Sequence, residues 1–197
     1  MIVELLDQLG IERADLIGNS MGGRVSIEVG LRAPDRVGGI VLLSPAMAWL
    51  QRNKMIERLL QVPLPLLGLI QPTPRLLVEP IVRRMVPSGN EGWVAAGVDE
   101  FLRAYLTAPG RFAFYESARN LFRDEPHGDD GFWTRLAELS PDTMFVWGTH
   151  DTLVPISFMK HVERALPAAR HLELNCGHVP QLEASAETHA AVSDFLG

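Results

Sequence analysis

A chain of 197 residues, 47% hydrophobic and 21% charged, is long enough for one domain with a substantial core and too apolar for a disordered protein. Its formal net charge of -6 argues against nucleic acid as the main partner, because phosphate binding depends on clustered Lys and Arg. The single cysteine, Cys176, excludes an intrachain disulfide and suits a reducing compartment, so we expect a cytoplasmic protein.

The apolar segments do not predict a membrane protein. The run at 62–70 contains two prolines and a glycine and is far shorter than the roughly 20 residues that span a bilayer. Residues 1–9 carry Glu4 and Asp7 at helical spacing and have no positively charged start, so we expect an opening helix rather than a signal peptide.

The first part of the chain predicts strands alternating with helices. Residues 14–18 form a short apolar run that enters a glycine turn, and a helix follows over 21–33. Pro34 ends that helix, because proline disfavours helix in the residue before it. The next run, 39–43, is continuously apolar, which is typical of a parallel strand covered on both faces.

Residues 46–131 have a different character, with helical stretches punctuated by proline and glycine and with many aromatic side chains. We interpret this segment as an inserted helical cap that rejoins the core through an acidic, glycine-containing linker at 124–131. Most of the aromatic residues are expected to be packing residues. They include Trp49, Trp93, Phe101, Tyr105, Phe112, Phe114, Tyr115 and Phe122.

The strand–helix rhythm resumes after the cap, with strands predicted at 143–147 and 170–174 and helices at 156–166 and 184–196. Such alternation predicts an α/β fold with a mostly parallel sheet flanked by helices. The core is therefore assigned to residues 1–45 and 132–197, with the cap at 46–131 between them.

The turn Gly18-Asn19-Ser20-Met21-Gly22-Gly23 lies between a predicted strand and a predicted helix, the context of a nucleophile elbow. A serine held in a strained conformation at such a turn leaves no room for side chains two positions before and after it, which predicts Gly18 and Gly22. The helix that follows directs its free amides at the site, so Met21 N–H is the candidate oxyanion donor.

A serine hydroxyl needs a base and an orienting acid, in the chain order Ser, Asp, His. Asp151 ends the segment Trp-Gly-Thr-His-Asp, just past the predicted strand 143–147, and His178 follows Cys-Gly just past the strand 170–174. Both residues come from the carboxyl ends of parallel strands, where open α/β sheets place their sites. The predicted catalytic set is Ser20, His178 and Asp151, without a cofactor or a metal.

Other candidates are weaker. His150 precedes Asp151 directly, and the side chains of adjacent loop residues usually diverge. A metal site around His127 competes with the commoner role of a solvated acidic loop. Cys176 is expected to be a small buried hydrophobe, and Ser44 leaves the alternative acid position without a carboxylate. His161, His171 and His189 fall on predicted helices or strands, where surface or core roles are the default.

The elbow, the segment ending at Asp151 and the Gly-His pair at His178 together resemble the α/β-hydrolase superfamily over residues 1–45 and about 132–197. The resemblance implies a helical cap after the strand ending near Leu43. The wording Gly-Asn-Ser-Met-Gly-Gly is common in members that cleave esters or the carbon–carbon bonds of ring-fission products. In the latter group an aromatic residue often follows the catalytic histidine, whereas Val179 stands here, which favours ester cleavage.

The family also has strands and an oxyanion loop before the helix with which this chain opens. We therefore expect a partial fold, a start at Met1 that is internal to a longer gene product, and an exposed apolar edge at the strand 14–18 that pairs with another copy or destabilises the chain. A missing second oxyanion donor is expected to cost about 10²–10³ in rate.

These patterns predict a hydrolase of apolar carboxylic esters or similar small acyl substrates that works through an acyl-enzyme. Two alternatives keep the same nucleophile: carbon–carbon bond hydrolysis and acyl transfer to an acceptor other than water. A third, of another class, is a catalytically weak or inactive fragment that serves as a binding module.

Overall fold

The computed structural model describes residues 1–48, 75–86 and 92–197. The apolar run at 62–70 and Trp49 lie outside these residues. The chain forms two compact units, one made of Met1–Met47 with His127–Gly197 and the other of Ala48–Pro126. In chain order the described elements are α1 (Ile2–Gln8), β1 (Ala14–Asn19), α2 (Met21–Arg32), a 3-10 turn (Pro34–Arg36), β2 (Val37–Leu43), α3 (Arg75–Met85), α4 (Gly92–Tyr105), α5 (Ala108–Arg123), α6 (Phe132–Leu136), β3 (Asp142–Gly148), a second 3-10 turn (Ile156–Phe158), α7 (Met159–Ala165), β4 (Arg170–Leu174), α8 (Pro180–Glu183) and α9 (Ser185–Leu196).

The first unit is built on a four-stranded sheet in the order β1-β2-β3-β4, and every neighbouring pair is parallel. This confirms the predicted α/β fold with helices flanking a parallel sheet. The register sets Asn19 opposite Leu43, and Leu43 opposite Val146. The carboxyl ends of the strands are therefore aligned along one edge, and the loops that follow them are neighbours.

The two central strands carry the core. Ile40, Val41 and Leu42 in β2 and Phe145 and Val146 in β3 are fully buried. A strand covered on both faces reads as a continuous apolar run, and this explains the predicted strand at 39–43. Because the centre of the sheet is packed in this way, the loops at its carboxyl edge start from fixed positions.

Among the strands that the structure describes, β1 forms one edge of the sheet and pairs with β2 alone. Its burial alternates along the strand, and Ile17 is 54% exposed. An edge strand presents backbone N–H and C=O groups that are free to pair with another chain. The expected association of copies through this edge stays a prediction.

Two of the predicted helices differ from the observed ones. The segment 156–166 begins as a 3-10 turn before α7 starts at Met159. The predicted helix 184–196 is observed as α9, but a short helix that was not predicted, α8, precedes it and starts at Pro180. Ala184 separates α8 from α9, because its φ of -133° and ψ of 54° are not helical.

The second unit contains α3, α4 and α5, and its described residues include helices but no strand. Charged side chains join α3 to α4, since Arg75 and Arg83 both contact Asp99. Thr107 caps α5 by accepting a hydrogen bond from the amide of Gly110 at 3.0 Å. Within the part of the chain that the structure describes, no helix combines the length and the apolarity needed to cross a bilayer.

Candidate active site

Ser20 lies at the sharp turn from β1 to α2 and has φ 51° and ψ -114°, a conformation that few residues other than glycine adopt. Two backbone hydrogen bonds hold it there: Ser20 N–H donates to Leu43 C=O at 3.0 Å, and Ala46 N–H donates to Ser20 C=O at 2.8 Å. Such strain persists only where the surroundings determine the conformation. The predicted strained serine at a strand-to-helix turn is confirmed.

The glycines around Ser20 are not equivalent. A Cβ atom on Gly18 would lie 2.5 Å from the Gly23 amide nitrogen and closer still to the Gly22 carbonyl. At Gly22, in contrast, a Cβ atom would meet nothing within 4 Å. The second crowded position is Gly23, where a Cβ atom would lie 2.8 Å from that of Pro45. The prediction that a side chain has no room was right for Gly18 and wrong for Gly22. The position after Ser20 that is crowded is Gly23 instead, because Pro45, in the segment after β2, packs against it.

The helix that follows Ser20, α2, is anchored by a cluster of charged side chains. Glu28 accepts hydrogen bonds from Arg24, one turn before it, and from Arg135 in α6. Arg24 also lies over the Phe132 ring, 4.2 Å from its centroid. Burial alone would raise the pKa of Glu28, but the two guanidinium groups hold it below its usual value. Glu28 is therefore a carboxylate, and α2 is fixed to α6.

Asp151 lies in the loop after β3, with its side chain buried. Its Oδ1 accepts hydrogen bonds from the amides of Leu153 at 2.8 Å and Val154 at 3.0 Å, and its Oδ2 is 2.8 Å from Nδ1 of His178. Burial would raise the pKa of Asp151, but the hydrogen bond and charge of His178 and the two amides outweigh it and lower the pKa. The group is ionised and held in one orientation.

His178 lies in the loop after β4 and is 7% exposed. Since an ionised carboxylate only accepts hydrogen bonds, the Nδ1 atom that faces Asp151 carries the proton. In the neutral ring, Nε2 is then the free acceptor, as a general base requires. The loop is held beyond His178 as well, because the Val179 amide donates to Oε1 of Glu183 at 3.1 Å.

The structure brings Asp151 and His178 into contact, and it brings the elbow against the His178 loop through Asn19. The Asn19 side-chain nitrogen donates to the carbonyls of Leu43 at 2.9 Å and His178 at 3.0 Å. The Ser20 hydroxyl itself makes no hydrogen bond to His178 in the described residues. In hydrolases without substrate this bond is often long and tightens on binding.

Met21 is the first residue of α2, which has 12 residues. Amides in the first turn of a helix have no partner within it, and the helix dipole favours negative charge at that end. The position suits the predicted donation from Met21 N–H to a developing oxyanion, and this role stays a prediction.

The remaining candidates have structural surroundings. Burial, with the charges of Glu183, Asp151 and Glu187, raises the pKa of Cys176 to about 12, so its thiol is not a nucleophile at neutral pH. His150 is exposed, whereas the adjacent Asp151 is buried. His171 accepts a hydrogen bond from the Trp147 indole at 3.0 Å, and burial lowers its pKa. Among the residues that the structure describes, no three His, Cys, Asp or Glu side chains are placed to hold a metal ion.

The sequence analysis named Asn19 and Ser44 but did not predict what these two residues do at this edge. Asn19 was noticed only as part of the elbow motif, although it connects the elbow to the His178 loop. Ser44, at the end of β2, is fully buried and has φ 44°. The Ser44-Pro45 pair indicates that the strand ends here, but it does not indicate a positive φ. That conformation depends on the neighbouring strand, since the Ser44 amide donates a hydrogen bond to Val146 C=O at 2.9 Å.

Residues 1–185 match the family model described as the alpha/beta hydrolase fold. The chain belongs to this family.

Among curated proteins, the chain is similar to two kinds of hydrolase. It is 30% identical to a 2-hydroxy-6-oxononadienedioate/2-hydroxy-6-oxononatrienedioate hydrolase of Paraburkholderia xenovorans. It is 29% identical to a 2-hydroxy-6-oxo-6-phenylhexa-2,4-dienoate hydrolase of Comamonas testosteroni. Each similarity covers 98% of this chain and 65% of the relative. The chain thus spans about 65% of the length of these relatives.

Solved structures show the same fold. A thermophilic esterase from Thermogutta terrifontis superimposes with a TM-score of 0.76 at 20% identity, over 99% of this chain and 69% of its own. An enol-lactonase from Burkholderia xenovorans has a TM-score of 0.75 at 19% identity, over 99% of this chain and 70% of its own.

Proposed function

We propose that this chain carries the serine-hydrolase chemistry of an enzyme that cleaves a carbon–carbon bond next to a ketone in ring-fission products of the 2-hydroxy-6-oxo dienoate type. Ser20 is the nucleophile, His178 the base and Asp151 the group that holds the imidazole. The observation that carries the substrate class is the similarity, over 98% of this chain, to curated hydrolases named for such substrates. It favours the carbon–carbon alternative of the sequence analysis over ester cleavage.

The reaction begins with proton transfer. Asp151 fixes Nδ1–H of His178, which leaves Nε2 to accept the proton of the Ser20 hydroxyl as Oγ attacks the substrate ketone. A bond forms between Oγ and the carbonyl carbon, and the carbonyl electron pair moves to oxygen. Met21 N–H is the proposed donor to this oxyanion.

Collapse of the tetrahedral adduct breaks the bond between the carbonyl carbon and its neighbour. Before the attack, the enol of the substrate becomes a ketone: the enol hydroxyl loses its proton and a proton is added to the carbon next to the ketone that Ser20 attacks. On collapse, the electron pair of the broken bond stays on this carbon and is delocalised onto the second carbonyl as a dienolate. The dienolate then takes up the proton held on Nε2 of His178, which returns the imidazole to its neutral form. Water, deprotonated by His178, then hydrolyses the acyl-Ser20 ester and releases a carboxylic acid.

Ester hydrolysis is the second candidate, because it uses the same attack and replaces the departing carbon by an alkoxide. The specific observation in its favour is Val179, which follows His178 where the carbon–carbon hydrolases often have an aromatic residue. The two candidates differ in the leaving group and in the enol-to-ketone step that only the carbon–carbon cleavage needs. A comparison of substrates on one protein sample therefore separates them.

The nucleophile is tested by labelling with a fluorophosphonate probe. We expect one label per chain in the wild-type protein and none in Ser20→Ala or His178→Ala. Ser157→Ala is the matched control, because Ser157 is an exposed serine of the same unit and should leave labelling unchanged. A folded wild-type protein that takes up no label would refute the proposed chemistry and favour the binding-module alternative.

The leaving group is tested by comparing two substrates. A 2-hydroxy-6-oxo-6-phenyl dienoate loses its visible absorbance on cleavage, and a p-nitrophenyl ester of a short acid releases a coloured phenolate. We expect the larger kcat/KM for the dienoate, with both activities lost in Ser20→Ala. Turnover of the ester together with no detectable cleavage of the dienoate would leave ester hydrolysis as the function.

A further inference from the structure

Asn19 contacts both parts of the proposed site, although it precedes the nucleophile and does not belong to the triad. Its side-chain nitrogen donates one hydrogen bond to Leu43 C=O, at 2.9 Å, and another to His178 C=O, at 3.0 Å. A carboxamide nitrogen has two hydrogens, so both are used. One side chain thus joins the ends of β1 and β2 to the loop that carries the base.

Two further contacts hold His178 and its neighbour Val179, and neither involves the elbow residues 18–23. Asp151 contacts the imidazole from the loop after β3, and Glu183, at the end of α8, accepts a hydrogen bond from the Val179 amide. Neither contact fixes the distance between the base and the elbow. Asn19 does fix this distance, because it is joined to Ser20 by the peptide bond and to the His178 carbonyl by a hydrogen bond.

From this geometry we infer that Asn19 is a positioning residue, which aligns Nε2 of His178 with the Ser20 hydroxyl through the His178 carbonyl. This inference rests on the proposed function, since it assigns Asn19 a role in the same proton transfer. A displacement of about 1 Å between reacting groups costs up to about 10² in rate. The loss falls on the chemical step rather than on binding, because Asn19 acts through His178.

Two substitutions separate positioning from general stability. Asn19→Ala removes both donors, and Asn19→Asp replaces the nitrogen by an oxygen that faces two carbonyl oxygens. Asn175→Asp is the control, because Asn175 is exposed and lies three residues before His178, so it adds the same charge near the same loop. Thermal unfolding checks that each variant is folded.

The first measurement is inactivation by a fluorophosphonate, separated into the maximal rate and the half-saturating concentration. For Asn19→Ala we expect the maximal rate to fall about 10- to 100-fold, with little change in half-saturation. The maximal rate of Asn19→Asp should fall more at pH 8 than at pH 5, relative to the wild type. The two carbonyl oxygens that face the new carboxyl favour its protonated form, and the protonated carboxyl donates one hydrogen bond. Wild-type inactivation rates in a folded Asn19→Ala protein would overturn the inference.

The second measurement does not depend on labelling. The Nδ1 proton between His178 and Asp151 should give a downfield proton NMR resonance in the wild-type protein and in Asn175→Asp. In Asn19→Ala we expect this resonance to shift or to broaden through exchange with solvent. If the wild type takes no label, the proposed function fails while this resonance still tests Asn19. An unchanged resonance in Asn19→Ala contradicts the inference whatever the labelling result.

Discussion

Replacing Gly18 and Gly22 separately by alanine tests how the turn that carries Ser20 is packed. At Gly18 the new Cβ atom would lie 2.5 Å from the Gly23 nitrogen, and it would lie closer still to two Gly22 backbone atoms. These neighbours are main-chain atoms at the start of α2, and they cannot move away by a change of rotamer. At Gly22 the space beyond the Cα atom is open to 4 Å.

The expected effects differ in sign. Ordinary contacts of a Cβ atom begin at 3.4 Å, so Gly18→Ala forces the turn apart by roughly 1 Å. Overpacking against rigid neighbours costs about 3 kcal/mol or more. Gly22→Ala replaces a helical glycine and should stabilise by about 0.5 kcal/mol. With about 2–4 °C per kcal/mol for a chain of this size, we expect a Tm lower by about 6–12 °C for the first variant and higher by about 1–2 °C for the second.

Thermal and urea unfolding followed by circular dichroism measure both variants on the same scale. Fluorophosphonate labelling of each variant reports whether Ser20 keeps its geometry. Gly18→Ala should lose labelling, and Gly22→Ala should retain it. If both variants lose stability to the same extent, a side chain at Gly22 is as crowded as one at Gly18. The conclusion that the close contacts lie at Gly18 and Gly23 would then be refuted.

Asp151→Asn should lower kcat by about 10⁴, because an amide in place of the carboxylate leaves the wrong nitrogen of His178 protonated, and unchanged kcat would contradict the role given to Asp151. The lowered pKa of Asp151 makes its contribution to stability complete above its unfolded pKa of about 3.9 and lost as pH falls through the folded pKa. Urea midpoints between pH 6 and pH 3 should therefore fall more steeply for the wild type than for Asp151→Asn. The Cys176 thiol should stay unreactive towards a disulfide reagent at pH 8 until urea unfolds the chain, since burial raises its pKa to about 12, and rapid reaction in the native protein would disprove this. If Val179 disfavours the dienoate, Val179→Trp should raise kcat/KM for the dienoate relative to the aryl ester.

The sequence was sufficient for features that depend on local patterns. The buried strand Val37–Leu43 follows from its continuous apolar run, and the strained Ser20 follows from a serine between a strand and a helix. The pairing of Asp151 with His178 follows from their places after neighbouring parallel strands. In each case one residue type at one place in the strand–helix order carries the information.

Contacts between distant segments could not be predicted in the same way. Asn19 finds its partners 24 and 159 residues away, and no local pattern reports such a pairing. The crowding at Gly23 comes from Pro45, whose position depends on the register of β1 against β2. The short helix α8 was missed because Pro180 was not recognised as a helix start.

The order of the strands also has a consequence for folding. β1 and β2 are joined by α2, and β3 and β4 by α7, so each pair closes over a short stretch of chain. The β2–β3 pairing instead requires the whole segment 44–141 to be looped out, which makes it entropically costly and slow. The proposed acid Asp151 and base His178 lie in the later half of the chain, and the proposed nucleophile Ser20 lies in the earlier half. A refolding chain should therefore regain its native far-ultraviolet signal before it regains the capacity to be labelled.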